Sequence, residues 1–181
     1  MDTPLEKPKS PAFLDEELPG DRARRLGALR LSREVAELPL RYAPFFARLA
    51  GLWEVPEEQV QSELLRAKDP KAWRSTMLRG LTLFDVRRSQ RSGARARLMR
   101  LEPGVHFPQH AHRGSESVLV LEGAYADAAG VEVHAGETQT MPEGSKHELH
   151  ILGSEPCVAA IAERGIEFTS PWLRWANRLL R

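Results

Sequence analysis

Between Leu81 and Phe168 the chain runs through short strand-like segments separated by turn residues, with no stretch long enough for a helix between them. LTLFDV is followed by ARLMRL, then SVLVL, EVH, TQTM, HELHIL and CVAAIA, each bounded by Gly, Pro, Asp or Ser. Successive parallel strands need a crossover of about a dozen residues or more, usually a helix. This segment offers none, so an antiparallel sandwich or barrel is expected. In SVLVL the run Val118-Leu119-Val120-Leu121 is apolar on both parities, which predicts a strand buried between sheet and sheet. Val118 and Val120 share the parity of Glu116, so all three are expected to face the interior.

The flanking text has a different period. Leu38, Tyr42, Phe45, Phe46, Leu49, Leu52 and Trp53 recur at spacings of three and four, as an amphipathic helix requires, with Pro39 and Pro44 breaking its start. Val55-Pro56-Glu57-Glu58 opens a second helix whose apolar face is Val60, Leu64 and Leu65, and Lys68-Asp69-Pro70 ends it. Trp73 to Leu78 reads as a last helical turn before Gly80. Residues 1–20 hold four prolines and many charges without periodicity, the composition of an extended or disordered arm. At the other end, Ser170-Pro171 is expected to open a short helix, WLRWANRLLR. The expected organisation is an arm (1–20), a helical segment (21–79), a barrel (80–169) and a C-terminal helix (170–181), making a mainly β chain.

Composition narrows the chemistry. With 26 Lys+Arg against 25 Asp+Glu, the net charge of +1 favours no nucleic-acid or membrane surface. The basic run Arg87 to Arg95 reads as a solvated hairpin loop, and no direct nucleic-acid contact is expected. The beginning of the chain lacks an apolar signal-peptide core and no 18-residue apolar run occurs, so a cytoplasmic location and no membrane association are expected. A single cysteine, Cys157, excludes an intramolecular disulfide and a Cys-rich zinc module, so a metal site must use His, Asp or Glu. Cys157 lies in CVAAIA and is expected to be a small buried core residue.

Five of the six histidines fall between positions 106 and 147, among these strands, and two alternate as His110-Ala111-His112. Side chains at i and i+2 of a strand share a face, so these two can grip one ion, and Glu116 can swing back beyond Gly114 as a third ligand. Imidazole with carboxylate suits zinc, iron, manganese or nickel. His106, His134 and His150 are expected to be surface residues, and Glu102 and Tyr125 are given ordinary surface roles.

The wider spacing points further. Gly104, five residues, His110-Ala111-His112, three residues, Glu116, six residues and Gly123 resembles the first cupin motif. Gly136, five residues, Pro142, one residue, Gly144, two residues and His147 resembles the second. The resemblance implies a jelly-roll barrel in which His147 joins His110, His112 and Glu116 around one divalent metal. Asparagine often stands four residues beyond the last cupin histidine, where this chain has Ile151. Residues 80–168 look like the cupin domain of ChrR-type anti-sigma factors. That likeness implies a metal-bound sensor or regulatory module in an oxidative or transcriptional stress response, with zinc as the ion and iron, manganese or nickel as alternatives. It also implies a regulatory protein partner and, as barrel cupins pair through a sheet face, a homodimer. Those proteins carry an N-terminal zinc module built on His and Cys ligands, but residues 1–79 contain neither residue type. Two other readings stay open: a cupin metalloenzyme of the dioxygenase type, and a cupin that binds a small molecule without turnover.

Overall fold

The computed structural model describes residues 40–170. The expected arm, the start of the expected first helix and the C-terminal helix lie outside the described residues.

The described chain begins with a 3₁₀ segment, Leu40–Phe45, that accommodates Pro44, and passes into helix α1, Phe46–Trp53. Glu54 takes the left-handed conformation at φ 52°, turning the chain sharply into helix α2, Glu57–Arg66. Pro56 caps α2, and Glu57 and Glu58 sit in its first turn, where carboxylates complement the helix dipole. A 3₁₀ turn at Pro70–Ala72 follows, capped by Asp69, whose carboxylate accepts from the Lys71 backbone N–H at 2.9 Å. The expected last helical turn is instead the short strand β1, Arg74–Ser75, because the chain edge pairs with the next strand as Arg74↔Leu83.

Ten further strands follow: β2 (Leu81–Arg88), β3 (Arg95–Leu101), β4 (His106–His112), β5 (Glu116–Glu122), β6 (Ala124–Asp127), β7 (Glu132–His134), β8 (Thr138–Met141), β9 (Lys146–Ile151), β10 (Cys157–Glu163) and β11 (Ile166–Phe168). They form two antiparallel sheets, ordered β1-β2-β3-β10-β5-β8 and β11-β4-β9-β6-β7. The chain crosses between sheets at tight corners. Gly123, at φ +70°, separates β5 in one sheet from β6 in the other, and a Cβ there would meet the Pro156 carbonyl oxygen at 2.5 Å.

Two apolar layers result, and the six-stranded sheet is shared by both. Its inner face, with Leu83, Met99, Leu101, Val118, Val120, Ala159 and Ile161, packs on Phe107, Tyr125, Leu149, Ile151 and Phe168 of the five-stranded sheet. Its outer face, with Phe84, Val86, Leu98, Leu119, Leu121, Val158, Ala160 and Ala162, is covered by Leu49, Leu52, Trp53, Val55, Val60 and Leu64 of the helical segment. The two-sided apolar character of β5 therefore has a source other than the one expected: Val118 and Val120 face the opposite sheet, whereas Leu119 and Leu121 face helices. In β10 alternate alanines on the outer face leave room for α1 to approach. Polar bonds fasten the helices to the sheets: Arg48 donates to the Gly136 carbonyl at 2.6 Å and to Thr138 Oγ1 at 2.5 Å, Tyr42 donates to Glu122, and Arg87 donates to the Glu54 carbonyl at 3.0 Å. Among the described residues no helix is long and apolar enough to cross a membrane.

Candidate metal centre

Strand β4 places the first two candidate ligands. The alternation of the strand puts His110 and His112 on its inner face, both buried. A bulge between Phe107 and His110, where Pro108 has no N–H to give the ladder, brings the Phe107 ring onto that same face, edge-on to His110 at 4.8 Å between centroids. Strand β9 supplies His147 directly opposite His110 in the register, with Tyr125, Asp127 and their neighbours on the far side of β9. The three-residue corner Arg113-Gly114-Ser115 then carries the chain to the facing sheet, where Glu116 opens β5. Three imidazoles of one sheet thus meet one carboxylate of the other.

One donor atom from each of the four residues falls within 4.8 Å of the rest. His110 Nε2 and His147 Nε2 are 2.9 Å apart, and Glu116 Oε2 stands 3.8 Å from His112 Nε2 and 3.7 Å from His147 Nε2. An ion with bonds of roughly 2.0–2.2 Å to N and O holds its donors roughly 3–4 Å apart, so these spacings suit a common centre. His110 Nδ1 lies 3.0 Å from the Pro108 carbonyl, which fixes that nitrogen as the donor and leaves Nε2 with its lone pair toward the cluster. His112 Nδ1 and Nε2 and His147 Nδ1 are buried without any hydrogen-bond partner. Buried nitrogens are seldom left unpaired, and a cation coordinated by the ring nitrogens that point inward would satisfy part of that debt.

The electrostatics agree. Burial pushes the His110 imidazole down to about 3 and that of His112 to about 4, with His147 adding repulsion to each, and burial also lowers His147 itself. All three are neutral at physiological pH, the form that binds metal. Burial, reinforced by neighbouring Glu163 and opposed by Arg97, raises the Glu116 carboxyl to about 8. Without a cation the cluster is therefore uncharged, and a cation would favour ionised Glu116.

The cluster borders a cavity of about 460 Å³ between the sheets, walled by Leu83, Met99, Phe107, Val118, Leu149, Ile161 and Phe168 and reaching His110 and Glu116. Tyr125 also lines this cavity and is buried, its hydroxyl donating to Gln139 Oε1 at 2.7 Å. The expected surface role for Tyr125 is thus overturned, because β6 turns its odd residues inward. Glu102 is exposed and pairs with Arg100. His106, His134 and His150 are exposed as expected, the first two beside Glu148 and Glu132. Two residues escaped the sequence reading. Glu163 of β10 stands beside Glu116 in the register, and Arg97 of β3 reaches Glu163 at 3.5 Å, both within the cavity wall. For Glu163 the signal was there as a single charge at the inward parity of the apolar strand CVAAIAE, whereas Arg97 is one of three arginines in β3 and did not stand out.

A family model described as the ChrR cupin-like domain matches residues 61–166, more than half of the chain. The chain belongs to this family. Solved structures agree on a cupin-like fold. An RmlC-like cupin protein from Ralstonia eutropha superposes with a TM-score of 0.52 at 14% identity, covering 57% of this chain and 71% of that one. Acetylacetone dioxygenase from Acinetobacter johnsonii gives 0.52 at 13% identity, covering 61% and 85%. The Rhodobacter sphaeroides structure of SigE in complex with the anti-sigma ChrR gives 0.51 at 22% identity, covering 86% of this chain and 70% of its match. No curated protein matches the chain.

Proposed function

We propose that this ChrR-type cupin holds one divalent metal through His110, His112, Glu116 and His147 and serves as a sensor or regulatory module. The observation that carries the reading is the buried set of three neutral imidazoles and one carboxyl with unpaired nitrogens, which has the donor chemistry of a metal site and no other evident purpose. Zinc is the ion we propose, since three histidines and a carboxylate complete its preferred four-coordinate shell; iron, manganese and nickel accept the same donors. With all four donors bound, zinc would tie β4, β9 and β5 together, whereas iron, manganese or nickel, which accept further ligands, would add a Lewis-acidic position beside the cavity. The residues around it keep bulk water away and fix the ring orientations, as Pro108 does for His110.

The regulatory part of the proposal is supported by the family. The matched ChrR is bound to a sigma factor, and the match reaches well beyond residues 61–166. A regulatory protein partner is accordingly proposed here, with contacts that cannot depend on a His/Cys zinc module in residues 1–79, which hold no His or Cys. A homodimer is proposed from the likeness to barrel cupins, and light scattering of the purified chain tests it. The test of the regulatory role is transcriptional: cells expressing the His112→Ala chain should show the same changed set of transcripts as cells lacking the chain. A wild-type transcript profile in the His112→Ala cells would oppose it.

One observation favours a second reading, a metal-dependent oxygenase-type enzyme: the cavity reaches two of the four candidate ligands, His110 and Glu116, from inside the fold. Oxygen consumption by the metal-loaded protein with small carbonyl compounds, lost in His112→Ala, would support this alternative.

A further inference from the structure

The cavity carries three arginines that the metal reading leaves unused. Arg95 and Arg97 share the inward parity of Met99 on β3, and Arg74 of β1 stands opposite Leu83, which in turn pairs with Met99. The register therefore sets all three on the inner face of the six-stranded sheet, and all three line the cavity. Arg74 is at the rim with its side chain 52% exposed, whereas that of Arg97 is 8% exposed. Among the described residues the Arg97 guanidinium meets Glu163, with Nη2 at 3.5 Å from Oε1, and Asp85, with Nε at 3.5 Å from Oδ1. Both distances exceed the ~2.7–3.2 Å of a good N–H···O bond, and Arg74 reaches the same Asp85 only at 3.8 Å. Burial, followed by the neighbouring charge of Arg97, holds the Arg95 guanidinium below its ordinary value. Cations so crowded and so loosely paired leave room for one more anionic group.

Positive charge predominates in either state of the metal cluster. Without an ion Glu116 is uncharged, so three guanidiniums face Glu163 in the lining and Asp85 beyond it. With a divalent ion bound, the charge of the ion exceeds that of an ionised Glu116. A cationic ligand is repelled in both states and a neutral one gains no ion pair, whereas a carboxylate offers two oxygens that match the planar fork of a guanidinium. Arg74 and Arg97 both approach the one carboxylate of Asp85, so their guanidiniums lie near enough together to share a second. The remaining wall is mainly apolar, with Leu83, Met99, Val118, Leu149 and Phe168, and about 460 Å³ is a volume suited to a small organic molecule. We propose that the cavity binds an apolar molecule ending in one carboxylate, with its head on Arg74 and Arg97 and its hydrocarbon part along the apolar wall. This deepens the sensor reading, on which its biological meaning rests, by naming the chemical class of its signal; the head site uses none of the four proposed metal ligands.

Octanoate, octanamide and octylamine share one hydrocarbon chain and differ in the head, so calorimetric titration of each into the full-length protein reads the preference directly. Octanoate should bind about ten-fold more tightly than octanamide, the gain expected from charge-assisted hydrogen bonds, and octylamine should bind more weakly than both. Arg97→Met should bring octanoate down to the level of octanamide. Arg74→Met, at a half-exposed position, should weaken octanoate about three-fold and leave octanamide unchanged. Wild-type protein that binds none of the three, or that prefers octanamide or octylamine, overturns the proposal without any variant having to fold. Undiminished octanoate binding in folded Arg97→Met overturns it as well. Metal content measured in the same samples separates the two ideas. Octanoate preference retained in wild-type protein stripped by a chelator supports the arginine site, and preference lost on stripping puts the carboxylate on the ion and overturns that site. Metal missing from the wild type as purified, with octanoate still preferred, removes only the metal reading.

Discussion

Replacing Trp53 by alanine should cost the protein about 2–4 kcal/mol of stability. Trp53 ends α1, is 0% exposed and lies in the layer between the helices and the outer face of the six-stranded sheet, with Leu49, Val60, Leu64, Phe84 and Leu98. A buried tryptophan removes ~150–250 Å² from water, which at ~25 cal/mol per Å² sets an upper figure of about 4–6 kcal/mol. Large-to-small aromatic substitutions in cores cost about 3–5 kcal/mol. One contribution works in the opposite direction. The indole Nε1 is buried without a hydrogen-bond partner, and deleting such a group returns about 1–3 kcal/mol. The same reasoning makes Trp53→Phe nearly neutral, within about 1 kcal/mol, since it keeps most of the area and removes the unpaired N–H. Urea denaturation followed by circular dichroism measures both, with metal content determined in parallel. A cost below about 1 kcal/mol for Trp53→Ala would refute the packing of the helices as part of the core. Loss of metal from a folded Trp53→Ala protein would refute the separation of the two apolar layers.

Three further outcomes follow from named positions. Gly123→Ala should destabilise by more than about 2 kcal/mol, because left-handed strain adds to a backbone clash at 2.5 Å, whereas Gly130→Ala, at φ +80° with nothing within 4 Å, should cost about 1 kcal/mol; thermal unfolding of the pair checks the ordering. Burial pushes the Cys157 thiol up to about 12, so native protein at pH 8 should resist iodoacetamide; since the native thiol keeps a proton that the unfolded one loses near 9, stability should fall as pH rises above that value, and rapid native alkylation at pH 8 would contradict both. Metal uptake at pH 7 should release about one proton per ion, from Glu116 held at about 8, because the buried imidazoles are already neutral; calorimetry in buffers of different ionisation enthalpy reads this number, and no release would contradict the assignment of Glu116.

Much of this fold follows from local rules. Period-two alternation placed His110 and His112 on one face, and the absence of crossover segments required antiparallel sheets, because both depend only on neighbours in sequence. His147 stood apart: only the resemblance to the second cupin motif connected it to the others, since the β4–β9 register that sets it opposite His110 is a long-range pairing. The outer cover of β5 was misjudged for a related reason, as periodicity marks Leu119 and Leu121 as buried without saying whether a sheet or a helix buries them. Bulges also defeat parity. Phe107 and His110 share a face only because the ladder shifts around Pro108, and a similar shift occurs between Asp85 and Arg87. Strand β1 is two residues long, too short to carry a period, and its pairing with β2 overrides the helical look of Trp73 to Leu78. Glu163 was visible as a charge ending an apolar strand and Arg97 as one of three arginines in β3, but their meeting needs β3 and β10 side by side.

The most direct test of the metal reading is elemental analysis of the wild-type chain, His112→Ala and His147→Ala, each purified without added metal. The account predicts one divalent ion per wild-type chain and near-complete loss in both folded variants, with full retention on changing the exposed His106 or His150. Metal content unchanged in His112→Ala and His147→Ala would show that these histidines do not hold the ion, and the central claim would fall.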